Sequence, residues 1–333
     1  MRAAIIYAVL LLAATVKIAS VPKYSFDSYQ YSYLVSSDIQ RIKSLAGLPR
    51  EYAQMGDKEY EHQRPFYRVK VLYVILVSIA AKFAGVIRAP FVVSAVAYFL
   101  LGWVVWFWLG SARIPEPWRS LSAILFMFSS VTTDTARMGT PDLLCTLLLM
   151  LGAWLLLETK YVVAGGVTLV ISVFARLDCA ILAVALLLLG YCQQKVSKRI
   201  TLTLGVALVA SYLLISRLGY SYHEMLAWTL RTSYLKAILH NFMKTELAIY
   251  SPFALLAVFA IKKKYERGLI GACVASLAVR YVLMPHLEIR YLLPQALIAG
   301  VVGAAAVLQG KAVGGVEAAS SLAPKDVFKE VAT

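Results

Sequence analysis

Long apolar segments recur along almost the whole chain, and they constrain its fold more than any other feature. A helix of about 20 apolar residues can cross the hydrocarbon core of a bilayer, which is roughly 30 Å thick. The composition agrees, because 60% of the 333 residues are hydrophobic, whereas about 45–50% is usual in soluble domains. The sequence therefore predicts an all-α, polytopic transmembrane helix bundle of about 10–11 spans. The clearest candidate spans are residues 3–21, 88–109, 119–136, 141–158, 161–176, 178–192, 199–217, 247–262, 268–285 and 291–309.

One further apolar segment, residues 69–85, is interrupted by Lys70 and Lys82. It is either an eleventh span or a helix that lies at the membrane interface, where lysine head groups reach water. The first segment has the position of a signal peptide, but Lys17 interrupts the end of its apolar region and further spans follow. We therefore expect it to be a retained span.

The charges of the short loops indicate how the bundle is oriented. Every second short loop is rich in lysine and arginine, and the positive-inside rule places these loops in the cytoplasm. If residues 69–85 lie at the interface, the loop 22–68 is external; if they cross, that loop is cytoplasmic. Seven lysines and arginines within 22–68 count against an external loop. The rich loops contain Arg113, Arg119, Lys160, Lys195, Lys198, Arg199, Lys262, Lys263, Lys264 and Arg267.

Polar residues gather at one membrane face in the arrangement that we prefer. We expect one transmembrane domain over residues 1–309, with two long external loops at 22–68 and 217–246 and a polar tail at 310–333. Juxtamembrane helices are expected in the first of these loops. The protein is then an integral membrane protein, and in bacteria its polar face would lie on the periplasmic side of the inner membrane.

Asp27 lies among tyrosines a few residues beyond the first span. A carboxylate at this depth could act as a general base toward a lipid-linked substrate, provided that it comes within hydrogen-bonding distance of the acceptor. The alternative is an aspartate that caps a juxtamembrane helix. Nearby Tyr29 could stack on a sugar ring or belong to the interfacial aromatic belt.

A second candidate group, Glu61, His62 and Arg64, comes directly before Pro65 and the next apolar segment. An acid and an imidazole could bind a divalent metal, and a helix beginning at a proline directs free N–H groups toward an anion. The alternative is a simple helix start.

Charged residues also lie between apolar runs further along the chain. Arg137 and Asp142 flank the junction of two spans, where ionisable groups are costly and suggest function; Asp142 is equally suited to the start of a helix. Arg176 and Asp178 are expected to pair with each other without a chemical role, and Arg280 is expected to face the bundle interior.

Cations and histidines occur in two more stretches of the same face. An arginine can clamp a phosphate through two parallel hydrogen bonds, although Arg290 could instead form a structural pair with Glu288. The cations of the loop 217–246 could contact a lipid phosphate or extend to the interface. The candidate substrate-binding residues in these stretches are His223, Arg231, Lys236, His286, Glu288 and Arg290.

Several kinds of site find no support in the sequence. It has no glycine-rich phosphate loop, no His-Glu-x-x-His and no nucleophile elbow. Either an activated group arrives within the substrate, or the protein catalyses no reaction. The net charge of +15 is scattered over short loops, which is typical of membrane topology and predicts no nucleic-acid partner. The cysteines Cys145, Cys179, Cys192 and Cys273 lack metal-ligand spacing and are expected to act as small apolar side chains.

The order of these elements resembles the GT-C class of integral-membrane glycosyltransferases, in particular the protein O-mannosyltransferases and the lipid A aminoarabinose transferases. The resemblance covers about residues 3–309, and the order and spacing of the motifs carry it. The stretches concerned are Phe26-Asp27-Ser28-Tyr29, Glu61-His62-Gln63-Arg64-Pro65, Ala136-Arg137-Met138-Gly139-Thr140-Pro141-Asp142-Leu143-Leu144 and Arg290-Tyr291-Leu292-Leu293-Pro294.

The resemblance implies transfer of a sugar from a polyprenyl-phosphate-linked donor to a lipid, glycan or protein acceptor at the external face, with inversion. Asp27 would be the base, and Arg290, with Arg231 or Lys236, would hold the lipid phosphate. His62 and Asp142 would position the acceptor or donor. The sequence establishes no cofactor, and a divalent metal held by Asp27, His62 and Asp142 is an option. The rival interpretations are a lipid-linked oligosaccharide transporter or flippase, an O-antigen-type polymerase and a non-catalytic membrane subunit.

Overall fold

The computed structural model describes residues 2–36, 57–219, 251–261, 264–283 and 289–321. Within these ranges the regular elements are all helical and no strand occurs. The elements in order are α1 (Arg2–Ser20), α2 (Phe26–Ser36), α3 (Asp57–Arg68), α4 (Val71–Ala84), α5 (Ala89–Ser111), α6 (Trp118–Met127), α7 (Ser130–Arg137), α8 (Asp142–Glu158), α9 (Val162–Ala175), α10 (Cys179–Cys192), α11 (Lys198–Ser216), α12 (Ser251–Ala260), α13 (Lys264–Leu283), a 3-10 helix (Ile289–Leu292) and α14 (Leu293–Ser321).

Four stretches of the described helices are long and apolar enough to cross a membrane: α1, α5, α11 and residues 290–309. The outer faces of these helices agree with that role. Leu12 of α1 and Leu213 of α11 are each 55% exposed. Exposed apolar surface of this kind is unfavourable in water but not in lipid. The expectation of an all-α fold is confirmed for the described residues, and four stretches have the length and composition that a membrane crossing needs.

The helices pack so that the bundle has two distinct ends. One end, called the site end below, contains the starts of α8 and α10 and the ends of α9 and α13, which ion pairs hold together. At the opposite end, the hydroxyl of Tyr265 at the start of α13 donates to Glu158 at the end of α8, at 2.6 Å. There the side-chain amide of Gln309 also donates to the carbonyl of Ala112, just beyond α5, at 2.5 Å.

Helix α4, which contains the ambiguous apolar segment, both begins and ends at the site end. Near its start, the ring of Tyr73 contacts Tyr31 of α2 with ring centroids 4.8 Å apart. Just beyond the end of α4, the carbonyl of Val86 accepts a hydrogen bond of 3.2 Å from the hydroxyl of Ser32. Ser32 directly follows Tyr31 in α2. The hydroxyl of Tyr73 also donates to the carbonyl of Pro90 at the start of α5. α4 therefore does not run from one end of the bundle to the other.

The structure differs from the predicted elements at two places. The expected span 119–136 is divided into α6 and α7, because Ser129 caps α7: its hydroxyl accepts the N–H of Thr132 and donates to the carbonyl of Phe126. Serine at such a position competes with continued helix by hydrogen-bonding local backbone groups. Helix α14 continues through Ser321, into the segment that was expected to be a polar tail.

Helices α8 and α9 approach each other closely through glycines. A Cβ atom added at Gly165 of α9 would lie 2.5 Å from the backbone nitrogen of Leu156 and 2.9 Å from the carbonyl oxygen of Gly152. Backbone atoms cannot rotate away as a side chain can. Glycine is therefore required here by the close approach of the two helices, as at many helix contacts in membranes.

We predict that Gly165→Ala destabilises the protein by about 1–3 kcal/mol, because α8 and α9 must move apart. The measurement is unfolding of the purified protein in mixed micelles with increasing dodecyl sulfate. Gly205→Ala is the matched control, since nothing lies within 4 Å of its added Cβ and alanine favours a helix by about 0.5–1 kcal/mol. Equal unfolding midpoints for the two variants would contradict the packing described here.

Candidate functional site

Three aspartates and three arginines form a chain of alternating charge at the site end. In order of contact they are Asp27, Arg290, Asp142, Arg176, Asp178 and Arg280. They come from α2, the 3-10 helix and the ends of α8, α9, α10 and α13. Five of the six side chains are no more than 10% exposed, and Asp27, the terminal member, is 23% exposed.

Asp27 is held by an arginine on one side and a tyrosine on the other. Its Oδ2 lies 2.5 Å from Nη2 of Arg290, and its Oδ1 accepts a hydrogen bond of 2.6 Å from the Tyr67 hydroxyl. Burial raises the pKa of Asp27, but the charge of Arg290, the Tyr67 hydroxyl and the charge of Lys70 outweigh this effect. The pKa of Asp27 therefore lies below its usual value, and the group is a carboxylate at neutral pH.

Asp142 and Asp178 extend this charge chain through Arg176. Asp142, the first residue of α8, pairs with Nη1 of Arg176, and its Oδ2 lies 3.6 Å from Nε of Arg290. Arg176 also binds Asp178 with two parallel hydrogen bonds of 2.9 Å. Asp178 in turn lies 2.5 Å from Nη2 of Arg280. Each buried carboxylate thus contacts two guanidinium groups, which offsets the cost of removing the charges from water.

The ring of Tyr291 lies among the three guanidinium groups. Its centroid is 4.2 Å from Cζ of Arg176, 4.7 Å from that of Arg280 and 5.2 Å from that of Arg290. Arg280 additionally donates to the backbone carbonyl of Tyr291 at 2.7 Å. Cations on an aromatic face are stabilised by the ring quadrupole. The 3-10 helix therefore supplies both an arginine and the surface on which all three arginines are arranged.

Lys70 is a second buried cation near Asp27. It is 8% exposed, its ammonium lies 3.4 Å and 4.5 Å from the ring centroids of Phe66 and Tyr67, and it donates to the carbonyl of Phe66. Burial lowers the pKa of Lys70 to about 7, and the charge of Asp27 only partly opposes this shift. The environment of Asp27 therefore includes a cation whose charge changes near neutral pH.

A small cavity and a disulfide lie beside the buried arginines. The cavity has a volume of about 20 Å³ and is lined by Arg176, Arg280 and Arg290 together with Cys145 and Cys179; a space of this size holds a water molecule. Cys145 and Cys179 form a disulfide between α8 and α10. The prediction that all four cysteines are small apolar side chains is wrong for these two, because the ion pairs bring the starts of two helices together that are distant in sequence.

The structure brings only part of the predicted site together. Asp27, Asp142 and Arg290 share the charge chain, and Tyr29 is buried in α2 with its ring stacked on Tyr24.

Four predicted site residues lie outside the charge chain, namely Glu61, His62, Arg64 and Arg137. Glu61 and His62 are exposed on α3, where Glu61 pairs with Arg64 and accepts a hydrogen bond from Tyr33. Arg137 donates to the carbonyl of Val21 at 2.9 Å and is exposed.

The remaining candidates fall outside the described residues. These are His223, Arg231, Lys236, His286 and Glu288. Among the residues that the structure describes, no group of three His, Cys, Asp or Glu side chains could hold a metal ion. Asp27 and Asp142 instead share Arg290, and His62 lies on α3 outside their charge chain.

Sequence reasoning did not identify Tyr67, Lys70 and Tyr291 as site residues. It treated Arg176 and Asp178 as a local pair and placed Arg280 in the bundle interior without a partner there. The signal for the last three was present, because each is an ionisable residue at or inside an apolar segment. No periodicity or spacing connects residues 176–178 with residue 280.

No protein-family model, no curated protein and no solved structure matches this chain.

We predict that Arg176→Gln lowers the stability of the protein by about 3–5 kcal/mol, because it leaves Asp142 buried without its nearest counter-ion. The matched control is Arg137→Gln, an exposed arginine at the same end whose ion pair with Asp134 is 4.0 Å long; its loss should cost less than about 1 kcal/mol. Unfolding midpoints in mixed micelles check both. Comparable losses in the two variants would contradict a buried charge chain.

Proposed function

We propose that this protein is a membrane glycosyltransferase of the GT-C type, which transfers a sugar from a polyprenyl-phosphate carrier to a lipid, glycan or protein acceptor at the external membrane face. The observation that carries the proposal is the contact between Asp27 and Arg290. These are the candidate base and the candidate phosphate clamp, they are 263 residues apart in sequence, and their charged atoms lie 2.5 Å apart. In the GT-C class, the order of the motifs requires that the first loop and the start of the last span lie in contact.

The charge balance of the site is suited to a phosphate-bearing donor. Asp27 and Arg290 neutralise each other. An anionic lipid phosphate would compete for Arg290, and the carboxylate of Asp27 would then be released toward the acceptor. Arg176 and Arg280 remain neutralised by Asp142 and Asp178, so the exchange needs one arginine only.

The transfer step is a displacement at the anomeric carbon. The acceptor oxygen attacks this carbon, the bond from carbon to the phosphate oxygen breaks, and the electron pair leaves with the polyprenyl phosphate. The proton of the acceptor passes to Asp27, which is ionised at neutral pH and can receive it. Arg290 stabilises the negative charge that develops on the leaving phosphate. The 20 Å³ cavity beside Arg290 is too small for a sugar.

We infer ten membrane crossings, with α4 at the interface. α6 and α7 together make one crossing, and the others are α1, α5 and α8–α14. This inference is supported by the return of α4 to the site end and by the helix contacts at each end. The 14-residue helices α9 and α10 would need a locally thinned bilayer. The loop 22–68 then faces outside, as the positive-inside rule requires for the opposite loops.

The disulfide supports the same orientation independently of charge. Cys145 and Cys179 lie at the site end, and disulfides persist mainly in oxidising compartments such as the bacterial periplasm. Exposed Cys192 lies at the other end of α10 and is free. A site end that faces the periplasm accounts for both observations.

We predict that Asp27→Asn lowers sugar transfer by at least about 100-fold, because the amide cannot accept the acceptor proton. Membranes that contain the variant are supplied with a panel of radiolabelled polyprenyl-phosphate hexoses and pentoses, and the glycosidic product is measured. The control is Asp134→Asn, an aspartate at the same end that is 49% exposed and should keep its activity. Retained transfer in Asp27→Asn, or movement of donor across vesicles without a new glycosidic bond, would reject the proposal.

A second prediction concerns orientation. In intact cells, a membrane-impermeant maleimide should label Lys23→Cys, whose native side chain is 50% exposed at the site end. Native Cys192 should react only after permeabilisation, so one protein carries both the probe and its control. Labelling of Cys192 alone in intact cells would place the site end in the cytoplasm and exclude an external reaction.

A further inference from the structure

A second cavity, larger than the one beside the buried arginines, lies at the opposite end of the bundle, away from the charge chain. It has a volume of about 610 Å³ and lies between the ends of α5 and α8, the start of α13 and the middle of α14. Its volume falls within the range of about 300–1,000 Å³ that is typical of small-molecule sites. The proposed transfer reaction makes no use of it.

The lining of this cavity changes from apolar to polar along α14. Val301, Val302 and Ala305 line its inner part, and Gln309 lines its outer part. Residues 301 and 309 of a helix are about 12 Å apart along the axis. Glu158 and Glu266 lie on the polar side. A molecule that fills the cavity therefore needs an apolar body and a polar head.

The carboxylate of Glu158 indicates the charge of that head. Glu158 is the last residue of α8, where the helix dipole disfavours an anion and favours a cation. One of its oxygens accepts a 2.6 Å hydrogen bond from Tyr265. Within the described part of the chain, no lysine, arginine or histidine nitrogen lies within 4.0 Å of this carboxylate. The C-terminal end of α5, at Ser111, also lines the cavity and adds partial negative charge.

The opposite charge is available at the mouth of the cavity. Arg113 lines it and is exposed. A head group that carries both an ammonium and a phosphate would match Glu158 and Arg113 together. The phosphate would also lie at the surface, where its remaining oxygens stay hydrated.

We propose that this cavity binds a membrane phospholipid with a primary ammonium head group. Glu158 accepts hydrogen bonds from the ammonium, Arg113 contacts the phosphate, and the beginning of an acyl chain packs against Val302 and Ala305. The proposal requires only that the bundle lies in a membrane. It stands or falls independently of sugar transfer.

The test is native mass spectrometry of the purified full chain with defined lipids. Phosphatidylethanolamine should be retained about ten-fold more than phosphatidylcholine, whose head group has no N–H donor, or phosphatidylglycerol, which has no cation. Glu158→Gln should abolish this preference. The matched control is Glu116→Gln, a carboxylate at the same end that pairs with Arg119 at 2.9 Å and does not line the cavity.

A second variant tests the proposal even if Glu158→Gln does not fold. Ala305→Phe fills the apolar part of the cavity and leaves both charged groups in place, so it should lower retention of phosphatidylethanolamine by about ten-fold. Equal retention of the three lipids by the native chain, or unchanged preference in both variants, would overturn the proposal. Displacement of the lipid by phosphoethanolamine as effectively as by a short-chain phosphatidylethanolamine would also overturn it, since the apolar wall would then contribute nothing.

Discussion

A buried aspartate or arginine costs several kcal/mol unless a partner of opposite charge stays within reach. At the site end this cost applies to five side chains that are at most 10% exposed. Their charges alternate, so removing any interior member takes one counter-ion from each of its two neighbours. Asp142, Arg176 and Asp178 therefore fix the relative positions of α8, α9 and α10, and Arg280 adds α13. The disulfide lies one turn or less from this contact and joins two of the same helices.

Asp27 and Arg290 differ from the rest of this chain because they form its more exposed end. Asp27 is 23% exposed, and its partners are a tyrosine, an arginine and a nearby lysine rather than two clamped arginines. In the proposed reaction, an anionic phosphate would replace Asp27 as the partner of Arg290. The buried part of the charge chain would then position the two residues that change partners in the proposed reaction.

The two ends of the bundle differ in how their charges are paired and in how much space they enclose. At the site end, nearly all charges are satisfied within the protein, and the enclosed space holds about one water molecule. At the opposite end, a larger space remains between the helices, with Glu158 at its polar side and an apolar interior. Different chemistry at the two ends is expected of a protein that is oriented across a bilayer, because the two aqueous compartments and lipid leaflets differ.

The sequence by itself determined the helical class, most helix boundaries and the candidate residues Asp27, Asp142 and Arg290. These follow from local properties, namely the length of apolar runs and the cost of charges beside them. The break at Ser129 was missed because a local cap competes with the apolar pattern of the span 119–136.

Only the tertiary structure decided which charges meet. Arg176 was expected to pair locally with Asp178, and it does, but its contact with Asp142 and the contact of Asp178 with Arg280 join different helices. The disulfide and the return of α4 to the site end were likewise undetermined by the sequence. Such contacts depend on which helices become neighbours, and helix neighbours are chosen by packing, as at Gly165, rather than by any spacing along the chain.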